Sequence, residues 1–227
     1  NKNAALPAVA AALLTADPVI LENVPRIRDV ETLLEILASM GATVEWEGDN
    51  TVRIQADQVE AGRPDPVLAE RIRASILLAG PLLARFGAVS LPPPGGDVIG
   101  RRRLDTHFLA FEGLGASISL TDGFEITAPH LSGARIFLDE PSVTATENAV
   151  MAAVLARGET RLVNAAAEPH VQDLCNLLVA MGARIDGVGT HTLVIQGVEG
   201  LHGARFRIGA DHIETGSFIG MASLTRS

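Results

Sequence analysis

Residues 30–46 read Val30-Glu31-Thr32-Leu33-Leu34-Glu35-Ile36-Leu37-Ala38-Ser39-Met40-Gly41-Ala42-Thr43-Val44-Glu45-Trp46. Leu33, Leu34, Leu37 and Met40 recur at spacings of three and four, which puts them on one face of a helix. Gly41 suits the left-handed residue that ends such a helix. After Gly41-Ala42, residues 43–46 and 52–55 flank Asp49-Asn50, and together they read as a β-hairpin.

The same grammar recurs at Gly115-Ala116 and Gly182-Ala183. Aligning the three pairs sets helix-like stretches 30–40, 104–114 and 171–181 in register. Hairpins then follow at 117–120 with 124–127, and at 184–186 with 192–196, turning at Asp122-Gly123 and over 187–190. Upstream of each lies another helix, at 4–15, 74–86 or 146–156, leading into a strand at 19–21, 89–91 or 160–163. The unit is helix, strand, helix, hairpin, used three times over about 2–67, 68–140 and 141–200. No single unit can bury its apolar helices alone. The expected fold is therefore α/β, with the copies packed around a common axis, helices inside and sheets outside.

Composition bounds the function. The chain has 227 residues, 47% of them hydrophobic and 20% charged, which is enough apolar material for a large core. Its apolar runs fall well short of the roughly 18 residues that span a bilayer, so no membrane partner is expected. Lys2-Asn3 followed by the apolar run 4–14 resembles a short signal-peptide core, but the pattern recurs twice later and reads as the first helix of each repeat. Cys175 is the single cysteine, which excludes an internal disulfide or a thiolate-rich zinc site and fits a reducing compartment. A net charge of -9 argues against nucleic acid. Basic residues nevertheless cluster at Arg71, Arg73 and Arg85 and again at Arg101, Arg102 and Arg103, a pattern that suits a small anion.

Three segments carry the chemistry. Lys2-Asn3-Ala4-Ala5-Leu6-Pro7 sets a cation and an amide at a helix start, where free N–H groups and the macrodipole attract anions. Residues 92–105, Pro-Pro-Pro-Gly-Gly-Asp-Val-Ile-Gly-Arg-Arg-Arg-Leu-Asp, form a stiff loop between a strand and a helix. Ser142-Val143-Thr144-Ala145-Thr146-Glu147-Asn148 opens the first helix of the third repeat with hydroxyls suited to capping. Asp211-His212-Ile213-Glu214-Thr215-Gly216 follows the last repeat; its His-x-Glu lacks the Pro-Cys-x-x-Cys of a zinc deaminase, and His212 reads as structural. The other histidines show no metal-ligand spacing. Gly113-Leu114-Gly115 lacks the third glycine of a dinucleotide fingerprint and reads as a helix end.

These strings resemble those of the enolpyruvyl transferases, whose two branches act on a UDP-sugar and on shikimate-3-phosphate, and whose two domains each hold three copies of this unit. The opening Lys-Asn is similar to the UDP-sugar branch, where the shikimate branch has Lys-Ser. Pro-Gly-Gly-Asp-x-Ile-Gly-x-Arg resembles that branch's mobile loop, where most members carry cysteine and some aspartate at the position of Asp97. Arg73 matches an Arg-Ala-Ser motif, and 142–146 resembles a Ser-Val-Gly-Ala-Thr segment near the UDP moiety. Two departures stand out: Arg103 replaces a proline, and Glu140 stands where lysine is common.

The resemblance implies an inside-out α/β barrel over 1–210, a crossing segment over 211–227, and a second domain absent from this chain. It implies transfer of the enolpyruvyl group of phosphoenolpyruvate to the 3-hydroxyl of UDP-N-acetylglucosamine, a cytoplasmic step at the start of peptidoglycan synthesis. No cofactor or metal is expected. Asp97 would be the general acid, with Lys2 and Arg102 as the cationic clamp. Lys2, Asn3, Arg73, Arg102, Arg103, Leu104, Asp105, Thr106, Ser142 and Val143 would bind substrates, and the base would come from the second domain. Transfer to shikimate-3-phosphate, or a non-catalytic UDP-sugar-binding relative, are the alternatives.

Overall fold

The computed structural model describes residues 1–59, 63–96, 103–120 and 122–225. The first unit runs α1 (Lys2–Ala11, continued as a 3-10 turn Ala12–Leu14), β1 (Val19–Glu22), α2 (Arg28–Ser39), β2 (Thr43–Trp46) and β3 (Val52–Gln55). A short α3 (Pro66–Ala69) and a 3-10 segment Arg73–Leu78 lead into the second unit: α4 (Ala79–Phe86), β4 (Ala88–Leu91), α5 (Asp105–Gly113), β5 (Ser117–Leu120) and β6 (Phe124–Thr127). After β7 (Arg135–Phe137) comes the third: α6 (Val143–Ala153), β8 (Glu159–Val163), α7 (Pro169–Ala180), β9 (Arg184–Asp186) and β10 (Thr192–Gln196). β11 (Arg205–Arg207) and α8 (His212–Thr225) follow. All three hairpins fall on the residues that the Gly-Ala register predicts. Gly41, Gly115 and Gly182 hold φ of +102°, +92° and +103°, a left-handed conformation that a side chain would strain.

The sheets repeat one pairing. β1, β4 and β8 each lie antiparallel to the second hairpin strand, β3, β6 and β10, with Val19 opposite Ile54, Val89 opposite Ile126 and Leu162 opposite Leu193. Two edge strands lie outside the repeat pattern. β7 adds parallel to β8, and β11 adds parallel to β1, so the last strand of the chain joins the sheet of the first unit. Asn23 and Asn164, just past β1 and β8, secure these edges. Each takes a left-handed φ, 59° and 60°, and donates its side-chain N–H to the carbonyl after the edge strand, Ile208 or Leu138, at 2.9 Å. Pro92 stands after β4, and the described residues show only three strands in that sheet.

Two kinds of helix build the core. α1 is nearly all Ala, Leu and Val past its first turn and is buried from Ala4 to Ala11; α6 is buried from Ala145 to Ala153. α2 is amphipathic, burying Leu33, Leu34, Ile36 and Leu37 and exposing Glu31 and Glu35. α1 packs on α2 and α7, while α6 packs on α4, α5 and α7. The α4–α6 approach needs glycine at position 80, because a Cβ there would lie 2.6 Å from the Asn148 carbonyl oxygen. A methyl at that point would push the helices apart at a cost of about 1–3 kcal/mol. Among the described residues, no helix is long and apolar enough to cross a membrane.

Candidate active-site cleft

Helix starts converge on one cavity of about 620 Å³. Lys2 and Asn3 come from the first turn of α1, Arg28 and Asp29 from α2, Arg73 and Ala74 from the 3-10 segment, Val143 and Thr144 from α6, and His170 from α7. Several helices therefore aim their positive ends at the same space, and cations stand among them. Such a concavity favours an anion with several oxygens.

Local sequence explains each wall. Asn1 caps α1, its side-chain oxygen accepting from Asn3 N–H at 3.0 Å. Pro7 has no N–H, so the Asn3 carbonyl on the cavity wall lacks its usual helical donor. Lys2 Nζ meets Asp29 Oδ2 at 2.9 Å across the mouth. Arg71 and Arg73 are brought to the wall beside Gly96, the last described residue of the Pro92–Gly96 stretch. Two glycines permit this. A Cβ on Gly95 would lie 1.6 Å from the Glu70 carbonyl oxygen, and Gly96 takes a φ of +90° against the Arg73 backbone.

The floor holds polar groups that the sequence reading did not single out. Glu147 is fully buried, with Oε1 unpartnered, and burial reinforced by the charge of Glu168 holds its carboxyl well above the usual range. His170 is buried with Nδ1 unpartnered, and burial lowers its pKa; its ring stacks on His212 at 5.7 Å. That stacking, with Asp211 and Glu214 beside Asn1, Lys2 and Asn3 in a smaller neighbouring pocket, sets the 211–216 segment against the cleft. His107 is buried behind the wall; burial and then the charge of Arg73 push it down to about 3, so it stays neutral.

Of the residues expected to bind substrate, Lys2, Asn3, Arg73 and Val143 meet on the cavity wall. Arg103, Leu104, Asp105, Thr106 and Ser142 do not line it. Arg103 is exposed and ion-paired with Asp105. Thr106 is buried and donates to Asp139 at 2.7 Å, tying the start of α5 to the loop before α6. Ser142 caps α6, its hydroxyl facing Ala145 N–H at 3.5 Å. Asp97 and Arg102 lie outside the described residues. Among the described residues no cluster of three or more His, Cys, Asp or Glu side chains is placed to hold a metal ion.

Comparison with known proteins gives this arrangement a family. The EPSP synthase (3-phosphoshikimate 1-carboxyvinyltransferase) family model matches residues 1–227. The chain is 65% identical over 227 residues to a UDP-N-acetylglucosamine 1-carboxyvinyltransferase of Bradyrhizobium diazoefficiens, covering 100% of this chain and 53% of that protein. It is 55% identical over 226 residues to the protein of the same name from Treponema pallidum, with the same coverage. The chain thus spans about half the length of these relatives. Among solved structures, the enolpyruvyl transferase NikO from Streptomyces tendae superposes with a TM-score of 0.84 at 27% identity, over 96% of this chain and 52% of that one. EPSP synthase from Acinetobacter baumannii shares the fold, with a TM-score of 0.73 at 19% identity over 96% of this chain and 50% of its own. With its repeated α/β units and a cationic cleft where helix starts meet, this chain belongs to the EPSP synthase family of enolpyruvyl transferases.

Proposed function

We propose that this chain is the first domain, over 1–210, of an enzyme that transfers the enolpyruvyl group of phosphoenolpyruvate to the 3-hydroxyl of UDP-N-acetylglucosamine. The observation that carries the reading is the convergence of Lys2, Asn3 and Arg73 with the starts of α1, α2, α6 and α7 on one cavity. Both substrates carry phosphate, and that corner brings cations and the positive ends of helices together. The three units close around α1, α4 and α6 as an inside-out barrel. Residues 211–227 begin the crossing into a second domain. Over that stretch α8 exposes Ile213, Phe218, Ile219, Met221 and Leu224, an apolar surface that the second domain would cover.

In the reaction the sugar hydroxyl attacks C2 of phosphoenolpyruvate while C3 gains a proton; phosphate then leaves from the tetrahedral intermediate as C3 gives back a proton and the vinyl double bond re-forms. Asp97 supplies the proton. Lys2 and Arg102 hold the anionic groups as charge moves onto phosphate. Arg73, Asp105 and Ser142 hold the UDP-sugar, with Asn3, Arg103, Leu104, Thr106 and Val143 around it. The second domain supplies the base, and closure excludes water. The setting is the cytoplasm, at the start of peptidoglycan synthesis.

The test is calorimetric titration of the protein, extended to the length of its relatives, with UDP-N-acetylglucosamine and separately with shikimate-3-phosphate. Phosphate release from phosphoenolpyruvate is followed alongside. Binding of the UDP-sugar with release supports the reading. Binding of shikimate-3-phosphate alone moves the protein to the other branch, and UDP-sugar binding without release marks a non-catalytic relative.

A further inference from the structure

A hydrogen-bond chain runs from the buried helix interface to the cleft, and its direction is fixed by the backbone. Gly80 N–H donates to Asn148 at 2.8 Å, and the Ile76 carbonyl accepts from Asn148 at 2.9 Å. A backbone donor and a backbone acceptor on opposite sides leave one orientation for the amide: its oxygen faces Gly80 and its nitrogen faces Ile76. The second N–H of that nitrogen points to His107 Nδ1 at 3.0 Å. Nδ1 must therefore be the acceptor. A neutral imidazole with Nδ1 unprotonated carries its proton on Nε2, which lies 3.2 Å from Thr144 Oγ1. Burial keeps the ring neutral, so this tautomer persists across ordinary pH.

Thr144 Oγ1 consequently accepts from His107, and its own proton is left to donate. Thr144 is half-buried on the cavity wall, and among the described residues His107 is the only hydrogen-bond partner of its side chain. We propose that Thr144 is a specificity-determining residue of the cleft, locked as a hydrogen-bond donor by the Asn148–His107 chain and aimed at a phosphoryl oxygen of the bound substrate, with His107 as its positioning residue. The inference rests on the substrate reading above. It adds that the hydroxyl, its oxygen already accepting from His107, turns its proton toward the ligand and so favours a group that accepts there over one that donates.

The experiment measures dissociation constants calorimetrically for three probes, UDP-N-acetylglucosamine, phosphoenolpyruvate and inorganic phosphate. The proteins are the native full-length form, Thr144→Val, Thr144→Ser, His107→Gln and His107→Leu. Loss of a hydrogen bond to a charged acceptor predicts roughly tenfold or greater weakening for Thr144→Val, restored by Thr144→Ser. His107→Gln, which can accept from Asn148 and donate to Thr144, keeps affinity closer to native than His107→Leu. The probe that loses affinity identifies which phosphate Thr144 meets. Long-range proton–nitrogen spectra of His107 should show the Nε2-protonated tautomer from pH 5 to 8, a signature that does not depend on any ligand. Thr144→Val within twofold of native for every probe, or a protonated Nδ1, overturns the inference. Binding of inorganic phosphate alone sinks the substrate reading while the phosphate titration still decides the role of Thr144. Binding of none of the three overturns both.

Discussion

Replacing Glu147 by Gln should stabilise the protein, and by more as pH rises. Glu147 lies in α6 with 1% of its surface exposed and with Oε1 unpartnered. Burial first, and the charge of Glu168 second, lift its carboxyl well above the ordinary value of 4.5. The unfolded chain ionises this group in the ordinary range. Above that range the folded state holds one more proton than the unfolded state, so stability falls as pH climbs until the folded carboxyl itself ionises. The slope reaches about 1.4 kcal/mol per pH unit. Gln keeps the shape, removes the titration and leaves every other ionisable group in place, so those groups cancel between the two proteins. For a chain of this length each kcal/mol moves the melting temperature by about 2–4 °C, which makes the gap widen by roughly 3–6 °C per pH unit. Thermal unfolding followed by circular dichroism at pH 5, 6, 7 and 8 reads this directly. The gap should be smallest at pH 5. A gap that stays constant, or that shrinks toward pH 8, would show that Glu147 is ionised in the folded protein and that the floor of the cleft is more polar than its geometry indicates.

Three further outcomes are expected. Lys2→Ala or Arg102→Ala in the full-length protein should lower turnover at least roughly tenfold. For Lys2→Ala the melting temperature should hold within a few degrees, because Lys2 and Asp29 are 48% and 41% exposed and such a pair contributes no more than about 1 kcal/mol; unchanged kinetics for both variants would refute the clamp. Cys175 should resist a thiol reagent until the protein unfolds, since burial, aided by Glu147, pushes its thiol up to about 12 and thiolate is scarce; rapid labelling of the folded chain would contradict this. Asp97→Cys should make the protein sensitive to time-dependent alkylation by the epoxide fosfomycin, because a carboxylate is a poor nucleophile toward an epoxide where a thiolate is a good one. Time-dependent inactivation of the native enzyme would place Asp97 elsewhere.

What the sequence reveals here depends on whether a signal is local. The hairpins are legible because turn and strands adjoin: Asp122-Gly123 sits between 117–120 and 124–127, and the structure pairs them there. β7 and β11 are three residues each, and their partners are set by the closure of the whole fold, β11 meeting β1 from the far end of the chain. The available signal was the asparagine in Leu21-Glu22-Asn23-Val24 and Leu162-Val163-Asn164-Ala165, alike in both units and replaced by Pro93 in the other. Lys2 and Arg73 stood out because they fall on motifs, whereas Arg28, at the start of α2 on the same wall, lies in no motif and was not picked out. Thr144, His107 and Asn148 were not legible, because a cap, a lone histidine and an amide are each ordinary in isolation. Their direction appears only when Gly80 and Ile76, on the neighbouring helical segment, are placed beside them.

α6 shows where periodicity reasoning ends and chemistry begins. Val143-Thr144-Ala145-Thr146-Glu147-Asn148-Ala149-Val150-Met151 has no polar face, so a polar side chain on it has two fates: a partner from the next helix, or none. Asn148 has the first, holding Gly80, Ile76 and His107 together. Glu147, one residue earlier and facing the cavity, has the second. An unpartnered buried group costs stability on the order of 1–3 kcal/mol, and a sequence retains such a cost without compensation only where something besides folding uses the group. The adjacent pair thus divides the helix between structure and site: substitutions at Asn148 should lower stability at every pH, whereas substitutions at Glu147 should change how stability depends on pH.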